Sequence, residues 1–404
     1  MRKGHFSSAA YGAAATLLLS ALSAFGQTNF NVLYNFRGGT DAAAPTAAPI
    51  LDRSGNVYGT ANGVKSWGTL YKLTRQVDGD WTETVLHRWY GYGDNISGGL
   101  VAGPHGNMYG TVNGRYGPLF ELAASGRVKQ YVLPVGGSLA TLLMDAAGNL
   151  YGPGRGDVFK LTRNSQGWKQ KVIHHFQCGG ADGCDPVGTL VSDAQGNLYG
   201  ATMDGGIYPP MCDSGGRGCG TVYELLRAAD GRWKERILHR FAQFKNDGEL
   251  PIGGPVMDAK GNLYGTTAQG GSVRNSGQCL VGCGVIYELS PDAKGWKETI
   301  LYSFCQAEGC TDGAGGVALV PDGVGNFYGV AGGGIGPCDN GCGVVFKLSH
   351  EMNGKWSYHV LHRFSGPDGG HPYGGVTLDG KGSLYGTTFW GGKYLYGVVY
   401  EITP

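Results

Sequence analysis

A series of aspartates recurs along the chain and is the first set of residues that could do chemistry. The series is Asp41, Asp94, Asp182, Asp247, Asp312 and Asp368. Carboxylate oxygens that converge could bind Ca²⁺, which prefers several oxygen ligands, or the hydroxyl groups of a sugar. The alternative is that each aspartate accepts hydrogen bonds in its own turn, because a turn requirement repeats whereas a catalytic site usually breaks the symmetry. Ca²⁺ is the only cofactor that this series suggests, and no other metal is assigned.

A second series contains metal-binding side chains, although packing explains it better. It comprises Tyr34, His87, His174, His239, Tyr302 and His362. In the architecture derived below, each of these residues lies on the outermost strand of its sheet. That strand lies three spacings of about 4.8 Å beyond the innermost one. The side chains therefore diverge around a rim, and we expect them to pack rather than to share a metal.

Aromatic residues that break the repeat form a third set. They are Trp67, Trp390, Tyr90, Tyr92, Tyr116 and Tyr373. Exposed aromatic rings stack on the apolar faces of sugars, and nearby carboxylates bind sugar hydroxyl groups. These six residues and the six aspartates are the candidates for ligand binding. The alternative for the aromatic residues is ordinary loop packing, and no residue is predicted to be catalytic.

An internal repeat predicts the elements that position these residues. The phrase G-N-L-Y-G, as at Gly261 to Gly265, occurs with variations in seven copies along the chain, and each copy is followed by a phrase such as Gly284 to Leu289. Such a recurrence dictates the architecture. In the unit from Pro255 to Phe304, turns separate four short runs rich in β-branched and aromatic residues, which predict strands A, B, C and D. Seven units predict an all-β fold, a seven-bladed β-propeller with four antiparallel strands per blade.

The order of the strands predicts how the ring closes. Strand D recurs in runs such as Trp233 to Phe241, but the seventh unit ends after strand C, at Ile402. A matching D strand lies at the other end of the chain, from Phe30 to Phe36. If this N-terminal strand completes the last blade, the ring closes and no sheet edge is left exposed. A β-helix or a row of separate domains would not explain this arrangement.

Strand direction predicts a functional face. In an antiparallel blade the A–B and C–D turns share one face, and the B–C loops and D–A crossings share the other. The second set is long and variable, which is typical of a functional face. The aspartate series lies in the crossings, so its carboxylates could surround the mouth of the central channel. The aromatic set belongs to blades seven, one and two, which become neighbours when the ring closes.

All ten cysteines also fall in the long loops of this face. They form the close pairs Cys178 with Cys184, Cys212 with Cys219, Cys279 with Cys283, Cys305 with Cys310, and Cys338 with Cys342. An even number of cysteines in an exported chain indicates disulfides, and the short spacing favours pairing within each loop. A zinc site would need four converging ligands, whereas these pairs lie on different blades.

The repeated phrases resemble the GloVer tandem repeat of secreted bacterial proteins. The resemblance rests on G-N-L-Y-G-T-T at Gly261 to Thr267, a Gly-rich loop, and G-T-V-Y-E-L at Gly220 to Leu225, and it covers nearly all of residues 29 to 404. The D-x-x-G-N-L-Y turn is also similar to turns of NHL-type and gluconolactonase-type propellers. The resemblance implies export and a repeat fold, and it implies no established activity.

Targeting and charge limit the location and the partners of the protein. Residues 1–26 combine a basic start, an apolar run and small residues before Gln27, which predict a signal peptide followed by one propeller domain over residues 27–404. No second apolar run is long enough to span a membrane, so we expect a secreted, periplasmic or cell-surface protein. The net charge of +1 and the lack of a basic cluster argue against nucleic acid. We expect a monomer with a glycan or an envelope component as its partner.

We therefore expect a secreted, non-catalytic binding or scaffold propeller that could bind carbohydrate through its long-loop face. One alternative is a secreted enzyme, a lactonase, lyase or glycosidase acting at the channel mouth, although the sequence has no nucleophile elbow, phosphate loop or zinc-protease motif. The other alternative is a structural protein of the cell envelope or matrix. Binding of a polysaccharide without turnover would favour the non-catalytic binding function. A metal bound tightly at the channel would favour the enzymatic function.

Overall fold

Seven antiparallel sheets follow one another around a ring in this computed structural model. Each sheet has four strands in the order A, B, C and D, so the predicted all-β, seven-bladed β-propeller is confirmed. The structure describes residues 28–63, 68–90, 96, 98–112, 118–134, 137–138, 140–178, 181–206, 217–273, 279–334, 336–339 and 341–403. The predicted signal peptide, residues 1–26, lies outside these residues.

The first four blades follow in chain order, and their strands are given from A to D. Blade 1 contains Ile50–Leu51, Val57–Asn62, Gly68–Arg75 and Trp81–Trp89. Blade 2 contains Val101–Ala102, Met108–Thr111, Leu119–Leu122 and Val128–Tyr131. Blade 3 contains Leu143–Met144, Leu150–Pro153, Asp157–Asn164 and Gly167–His175. Blade 4 contains Gly183–Ser192, Leu198–Gly205, Thr221–Arg227 and Trp233–Arg240.

The last three blades complete the ring. Blade 5 contains Val256–Met257, Leu263–Thr266, Val285–Asp292 and Gly295–Ser303. Blade 6 contains Ala314–Pro321, Phe327–Gly332, Val344–His350 and Trp356–Arg363. Blade 7 contains Val376–Leu378, Leu384–Thr388, Val398–Thr403 and, as strand D, Asn29–Asn35. Short additions are the strands Ala43–Pro45, Gly248–Glu249 and Gln269–Gly270 and the 3₁₀ turns Pro104–Gly106 and Glu308–Cys310.

The N-terminal strand closes the ring as predicted. Asn29–Asn35 pairs antiparallel with Val398–Thr403, with Phe30 opposite Ile402. Blade 7 is therefore built from both ends of the described chain. This pairing covers the edge that strand C of blade 7 would otherwise leave open.

The A–B turn of blade 5 shows why its motif recurs. Asp258 Oδ1 accepts hydrogen bonds from the backbone N–H groups of Lys260 and Asn262, at 2.8 and 2.9 Å. Its Oδ2 accepts from the Asn262 side chain and from the Tyr264 hydroxyl. Gly261 takes a φ of 85°, a left-handed conformation that favours glycine. The recurring Asp, Gly, Asn and Tyr therefore form one hydrogen-bonded hairpin.

The glycine within strand B is required by the tyrosine of strand C. A Cβ at Gly265 would lie 2.2 Å from the hydroxyl oxygen of Tyr287, which is fully buried. Such a distance is impossible for two non-bonded heavy atoms, so a larger residue here would displace the ring. The glycine in the repeat phrase is therefore required by close packing between neighbouring strands.

The hydrophobic core lies between blades, where aromatic residues interlock. The strand-B tyrosine of one blade packs against the tryptophan that begins strand D of the next. Tyr199 approaches Trp296 with ring centroids 6.3 Å apart, and Tyr264 approaches Trp356 at 5.9 Å. These two tyrosines are buried. They therefore form part of the inter-blade core.

Disulfides brace the long loops of blades 3 to 6. The bonded pairs are Cys178–Cys184, Cys279–Cys283, Cys305–Cys310 and Cys338–Cys342. These four pairs confirm the prediction of local pairing. Cys219 is also disulfide-bonded, while Cys212 lies outside the described residues. Disulfides of this kind are typical of an oxidising environment.

Candidate functional site

The crossing aspartates and the His or Tyr residues of strand D are two separate series in the sequence. In the structure they contact each other in pairs. The Tyr34 hydroxyl donates a hydrogen bond to Asp41 Oδ2 at 3.1 Å. His362 Nε2 lies 2.8 Å from Asp368 Oδ2, and Tyr302 donates to Asp312 in the same way. Asp94 lies outside the described residues. The His or Tyr of one strand D thus contacts the aspartate of the crossing that follows it.

The same aspartates also accept hydrogen bonds within their own crossings. The backbone N–H groups of Gln243 and Gln306 donate to Asp247 and Asp312, each at 2.8 Å. Equivalent bonds join Arg37 to Asp41, Gln177 to Asp182, and Ser365 to Asp368. The five described aspartates therefore lie beside the outer strands, each at a different junction, and do not surround the mouth of the channel together. Ca²⁺ binding by this series stays a prediction.

A third side chain, from strand D of the following blade, completes each group, which we call a junction cluster. The clusters are Tyr34–Asp41–Glu83 between blades 7 and 1, His174–Asp182–Glu235 between blades 3 and 4, His239–Asp247–Glu298 between blades 4 and 5, Tyr302–Asp312–Tyr358 between blades 5 and 6, and His362–Asp368–Phe30 between blades 6 and 7. These glutamates were not among the residues predicted from the sequence. Their signal was the recurrent Glu two residues after the strand-D tryptophan.

A β-bulge in strand D lies next to each His or Tyr. In blade 4, Val222 pairs with His239 and Tyr223 pairs with Ile237, so Leu238 is an extra residue. A bulge increases the local twist and changes the direction of adjacent side chains. His239 follows it directly, so the bulge helps to direct this imidazole towards the junction.

Burial and like charge perturb the carboxyl groups of the clusters. Burial, followed by the neighbouring Asp247, raises the pKa of Glu298 to about 9. Burial and Asp41 raise the pKa of Glu83 to about 9, and burial and Asp182 raise the pKa of Glu235 to about 8. Two carboxyl groups held close together away from water resist simultaneous ionisation. Burial and the neighbouring carboxylate therefore favour the protonated form of these glutamates, whereas a cation beside them would favour the ionised form.

A different kind of site lies on the long-loop face of blade 7. Tyr373, in the crossing into this blade, is 48% exposed, and Trp390, in its B–C loop, is half-buried. The His371 ring lies between them, with its centroid 5.5 Å from Tyr373 and 6.5 Å from Trp390. The fold thus brings together two of the six predicted aromatic candidates.

The remaining aromatic candidates lie elsewhere or outside the described residues. Tyr90, just after strand D of blade 1, is 71% exposed. Trp67, Tyr92 and Tyr116 fall outside the described residues. A grouping across blades seven, one and two therefore stays a prediction.

The B–C loop of blade 7 adds aromatic rings that the sequence analysis left out. Tyr394 and Tyr396 are 37% and 38% exposed. The Arg37 guanidinium lies 5.7 Å from the centroid of the Tyr394 ring, and the Lys393 ammonium lies 5.4 Å from it. We define the aromatic patch as His371, Tyr373, Phe389, Trp390, Tyr394 and Tyr396. The signal for the additional residues was the aromatic density of F-W-G-G-K-Y-L-Y at Phe389 to Tyr396.

Backbone hydrogen bonds hold the loops of the aromatic patch in place. Gly370 and Trp390 exchange both N–H···O bonds, at 2.8 and 3.0 Å, and Gly392 donates to Gly366. His371 takes a φ of 57°, and the equivalent crossing residues Ala44, Asp185, Leu250 and Gly315 share this left-handed conformation. The repeat therefore specifies the backbone here, while the side chain at this position differs from blade to blade.

A charged groove of about 1130 Å³ lies on the opposite, short-turn face, between blades 7 and 1. Its walls include Trp81, Arg75, Lys381 and the hydrogen-bonded pair Tyr385 and Glu401. No sequence pattern predicts this groove, because its residues come from turns near both ends of the chain. Charges of both signs line it, so it favours no single class of ligand.

Comparison with known proteins identifies the repeat. The family described as the Gloeobacter/Verrucomicrobia repeat matches residues 138–335 and 204–404. The resemblance to this family is therefore confirmed. The sequence has no significant match among curated proteins.

Solved structures with a similar fold have diverse roles. A catalytically inactive virginiamycin B lyase from Staphylococcus aureus with quinupristin is 12% identical, with a TM-score of 0.56 and coverage of 93% of this chain and 99% of that chain. An ulvan lyase from a new polysaccharide lyase family is 9% identical, with a TM-score of 0.54 and coverage of 91% and 94%. A chain of the mitotic checkpoint complex is 10% identical, with a TM-score of 0.55 and coverage of 100% and 99%. At these identities the likeness shows the fold alone.

A search for membrane-crossing helices found no candidate. No helix in the described part of the chain is long and apolar enough to span a bilayer.

Proposed function

Because this chain belongs to the Gloeobacter/Verrucomicrobia repeat family and folds as a seven-bladed propeller, we propose that it is a secreted module that binds carbohydrate through the aromatic patch. The proposal includes export, which the predicted signal peptide and the disulfides support. It assigns no catalytic step to the patch.

The observation that carries the proposal is the exposure of Tyr373, Tyr394 and Tyr396 on a backbone held by hydrogen bonds. Each ring is between 37% and 48% exposed. Aromatic side chains on loops usually bury more of their surface, and a cluster of exposed ones marks a binding surface. Because the loop is already ordered, binding would cost little conformational entropy.

Charged groups at the edge of the patch fit the hydroxyl groups of a sugar. Asp339 is exposed and lies near His371. Burial lowers the pKa of His371, and Asp339 acts in the opposite direction. Arg37 and Lys393 contribute donors beside Tyr394. Rings for stacking and polar groups for orientation are the two requirements of a carbohydrate site.

An enzyme remains the alternative function. Lyases occur among the distant structural neighbours, although their likeness is limited to the fold. The groove between blades 7 and 1 is the concave surface that would hold a substrate. Turnover of a polysaccharide, with loss of activity on changing Arg75 and Lys381, would favour this alternative.

The test is a panel of neutral and uronate-containing polysaccharides, with product analysis on every hit. Tyr373→Ala and Tyr394→Ala should each weaken binding by about 1 kcal/mol, or roughly five-fold, as expected for a lost aromatic contact. Both side chains are exposed, so the stability of the protein should change by no more than about 0.5 kcal/mol. Trp390→Ala should weaken binding too, but it should also cost stability because the indole packs against a buried cluster.

Phe244→Ala is the matched control, because Phe244 is 46% exposed on a loop of blade 4, away from blade 7. It should bind as the parent does. The proposal fails if both tyrosine variants bind an identified polysaccharide as tightly as the parent. It also fails if Arg75→Ala combined with Lys381→Ala abolishes binding while the tyrosine variants retain it. Chain-shortened products would overturn the non-catalytic assignment.

A further inference from the structure

Among the described junction clusters, the one between blades 4 and 5 leaves the most buried polar atoms without hydrogen-bond partners. In the 7/1 cluster, Tyr34 donates to Asp41 and the backbone N–H of Ala42 donates to Glu83. In the 4/5 cluster, His239 Nε2, Asp247 Oδ1 and both carboxylate oxygens of Glu298 are buried and have no hydrogen-bond partner. Buried polar atoms are nearly always paired, so four unpaired atoms facing one another require an explanation.

The distances in this cluster fit ligands around an ion better than they fit hydrogen bonds. His239 Nε2 lies 3.4 Å from Asp247 Oδ1 and 3.7 Å from Glu298 Oε1. All three potential ligand atoms lie within 4.8 Å of one another. A hydrogen bond would bring such atoms to about 2.7–3.2 Å. Two ligands of a tetrahedral zinc ion, each about 2.0–2.2 Å from the metal, are separated by about 3.3–3.6 Å.

Burial and charge also call for a cation at this position. The side chains of His239, Asp247 and Glu298 are 8%, 1% and 2% exposed. Two carboxyl groups facing each other away from water are unfavourable unless a proton or a metal ion lies between them. The backbone N–H of Gln243 donates to Asp247 Oδ2 at 2.8 Å. This bond leaves Oδ1 directed at the cluster, as outer hydrogen bonds do for metal ligands.

We propose that His239, Asp247 and Glu298 bind one divalent transition-metal ion, best matched by Zn²⁺. One imidazole nitrogen and two carboxylate oxygens suit zinc, whereas calcium prefers oxygen ligands alone. Water would fill the fourth position. The ion would join strand D of blade 4 to strand D of blade 5 and so brace the rim of the ring, where the outer strands of neighbouring blades splay apart.

The cluster between blades 3 and 4 is a weaker version of this site. His174 Nε2 lies 3.7 Å from Glu235 Oε1, and Asp182 is the third potential ligand. The His174 and Glu235 side chains are 18% and 17% exposed, so water competes more effectively for these ligands. We therefore expect one tightly bound ion per chain and a second bound more weakly.

The experiment uses the full chain, without a histidine tag and with its disulfides intact so that no thiol binds metal. The protein is stripped with a chelator and titrated with Zn²⁺ against a chromophoric competitor, and bound zinc is counted by mass spectrometry. Glu298→Gln and His239→Gln should each weaken the tight site ten-fold or more. Zinc should raise the Tm of the parent but not that of Glu298→Gln, because only the state that binds the ion is stabilised.

Glu83→Gln is the matched control, because Glu83 occupies the same position in a cluster whose first residue is Tyr34. It should bind zinc as the parent does. If Glu298→Gln does not fold, the test is the visible spectrum of the parent with Co²⁺ added. Intense bands are expected, because tetrahedral Co²⁺ gives them. The proposal is overturned if the parent binds no zinc at micromolar concentrations, in which case a proton lies between the carboxyl groups. Equal zinc affinity of Glu298→Gln and the parent overturns it as well.

Discussion

Blades 5 and 7 share a four-strand plan but differ in what surrounds the strands. Blade 5 is a continuous stretch of chain whose B–C loop carries the Cys279–Cys283 disulfide and whose outer strand carries Glu298. Blade 7 takes its outer strand from the N-terminal end. Its B–C loop has no cysteine and carries Phe389, Trp390, Tyr394 and Tyr396 of the aromatic patch, and Phe30 occupies the position of Glu298. Residues that repeat build the strands. Residues that depart from the repeat distinguish what each blade can bind.

The outer strands show a physical reason for part of this difference. Strand D of blade 5 continues directly from strand C through a turn, so the chain itself holds it in place. The closing strand of blade 7 has no such connection, and only non-covalent contacts hold it. Phe30 stacks on His362, with ring centroids 3.6 Å apart, and also contacts Tyr400 at 5.6 Å. The apolar contacts of Phe30 suit a strand that must be retained, although the same strand also carries Tyr34 of the polar cluster between blades 7 and 1.

Removal of the closing strand should cause the largest loss of stability among the changes that distinguish blade 7 from blade 5. Deleting residues 27–37 leaves strand Val398–Thr403 with an open edge and exposes the cluster around Phe364 and Tyr400. We expect aggregation or loss of cooperative unfolding, measured by calorimetry and light scattering. A chain that lacks only residues 1–26 is the control. Closure by this strand would be disproved if both chains melted alike.

The fold was predictable because each of its rules is local and recurs in most or all of the blades. The hairpin at Asp258 uses residues within one turn, and Gly265 lies on the strand beside Tyr287. The closing strand followed from the same pattern, since Phe30 to Phe36 matches strand D and the last unit lacks one. Repetition therefore turned weak local signals into a definite architecture.

The junction clusters were not predictable in the same way, because their members come from different blades. The repeat pattern places His239 and its counterparts around the rim, so it predicts that they do not converge on one another. In the structure His239 instead meets Asp247 from its own crossing and Glu298 from the next blade. Which strand-D face turns towards that junction depends on the bulge at Leu238. The aromatic patch was predicted in part, because Trp390 and Tyr373 break the repeat visibly.

Substitution of the residue at the start of strand D should have a smaller effect on stability, and this effect should differ between blades 5 and 7. Trp296 of blade 5 packs against Tyr199 and the core of blade 4, whereas the equivalent residue of the closing strand is Thr28. Trp296→Ala removes a partly buried indole and should lower the free energy of unfolding by about 2–4 kcal/mol. Thr28 only donates a hydrogen bond to the Leu361 carbonyl, so Thr28→Ala should cost about 1 kcal/mol. Denaturant unfolding of both variants measures the difference, and equal losses would contradict this account of the core.

The last expected effect concerns the pH dependence of the polar cluster that blade 7 shares with blade 1. Burial and Asp41 raise the pKa of Glu83 to about 9, whereas an unfolded glutamate titrates near pH 4.3, roughly. Between these values the folded protein keeps a proton that the unfolded chain has lost. The folded state therefore binds more protons, and stability falls as pH rises through this window. Above about pH 9 the two states again bind equally and the loss is complete.

Glu83→Gln should remove this contribution, because glutamine keeps the shape and a donor towards Asp41 but does not titrate. We expect the variant to match the parent near pH 5 and to exceed it in stability at pH 8, measured by denaturant unfolding across the range. The variant should keep part of the pH dependence of the parent, because burial also raises the pKa of Glu235 and Glu298. Glu308→Gln, at an exposed position, controls for the loss of one carboxylate. Parallel stability curves for Glu83→Gln and the parent between pH 5 and pH 9 would show that the Glu83 carboxyl is not held in its protonated form.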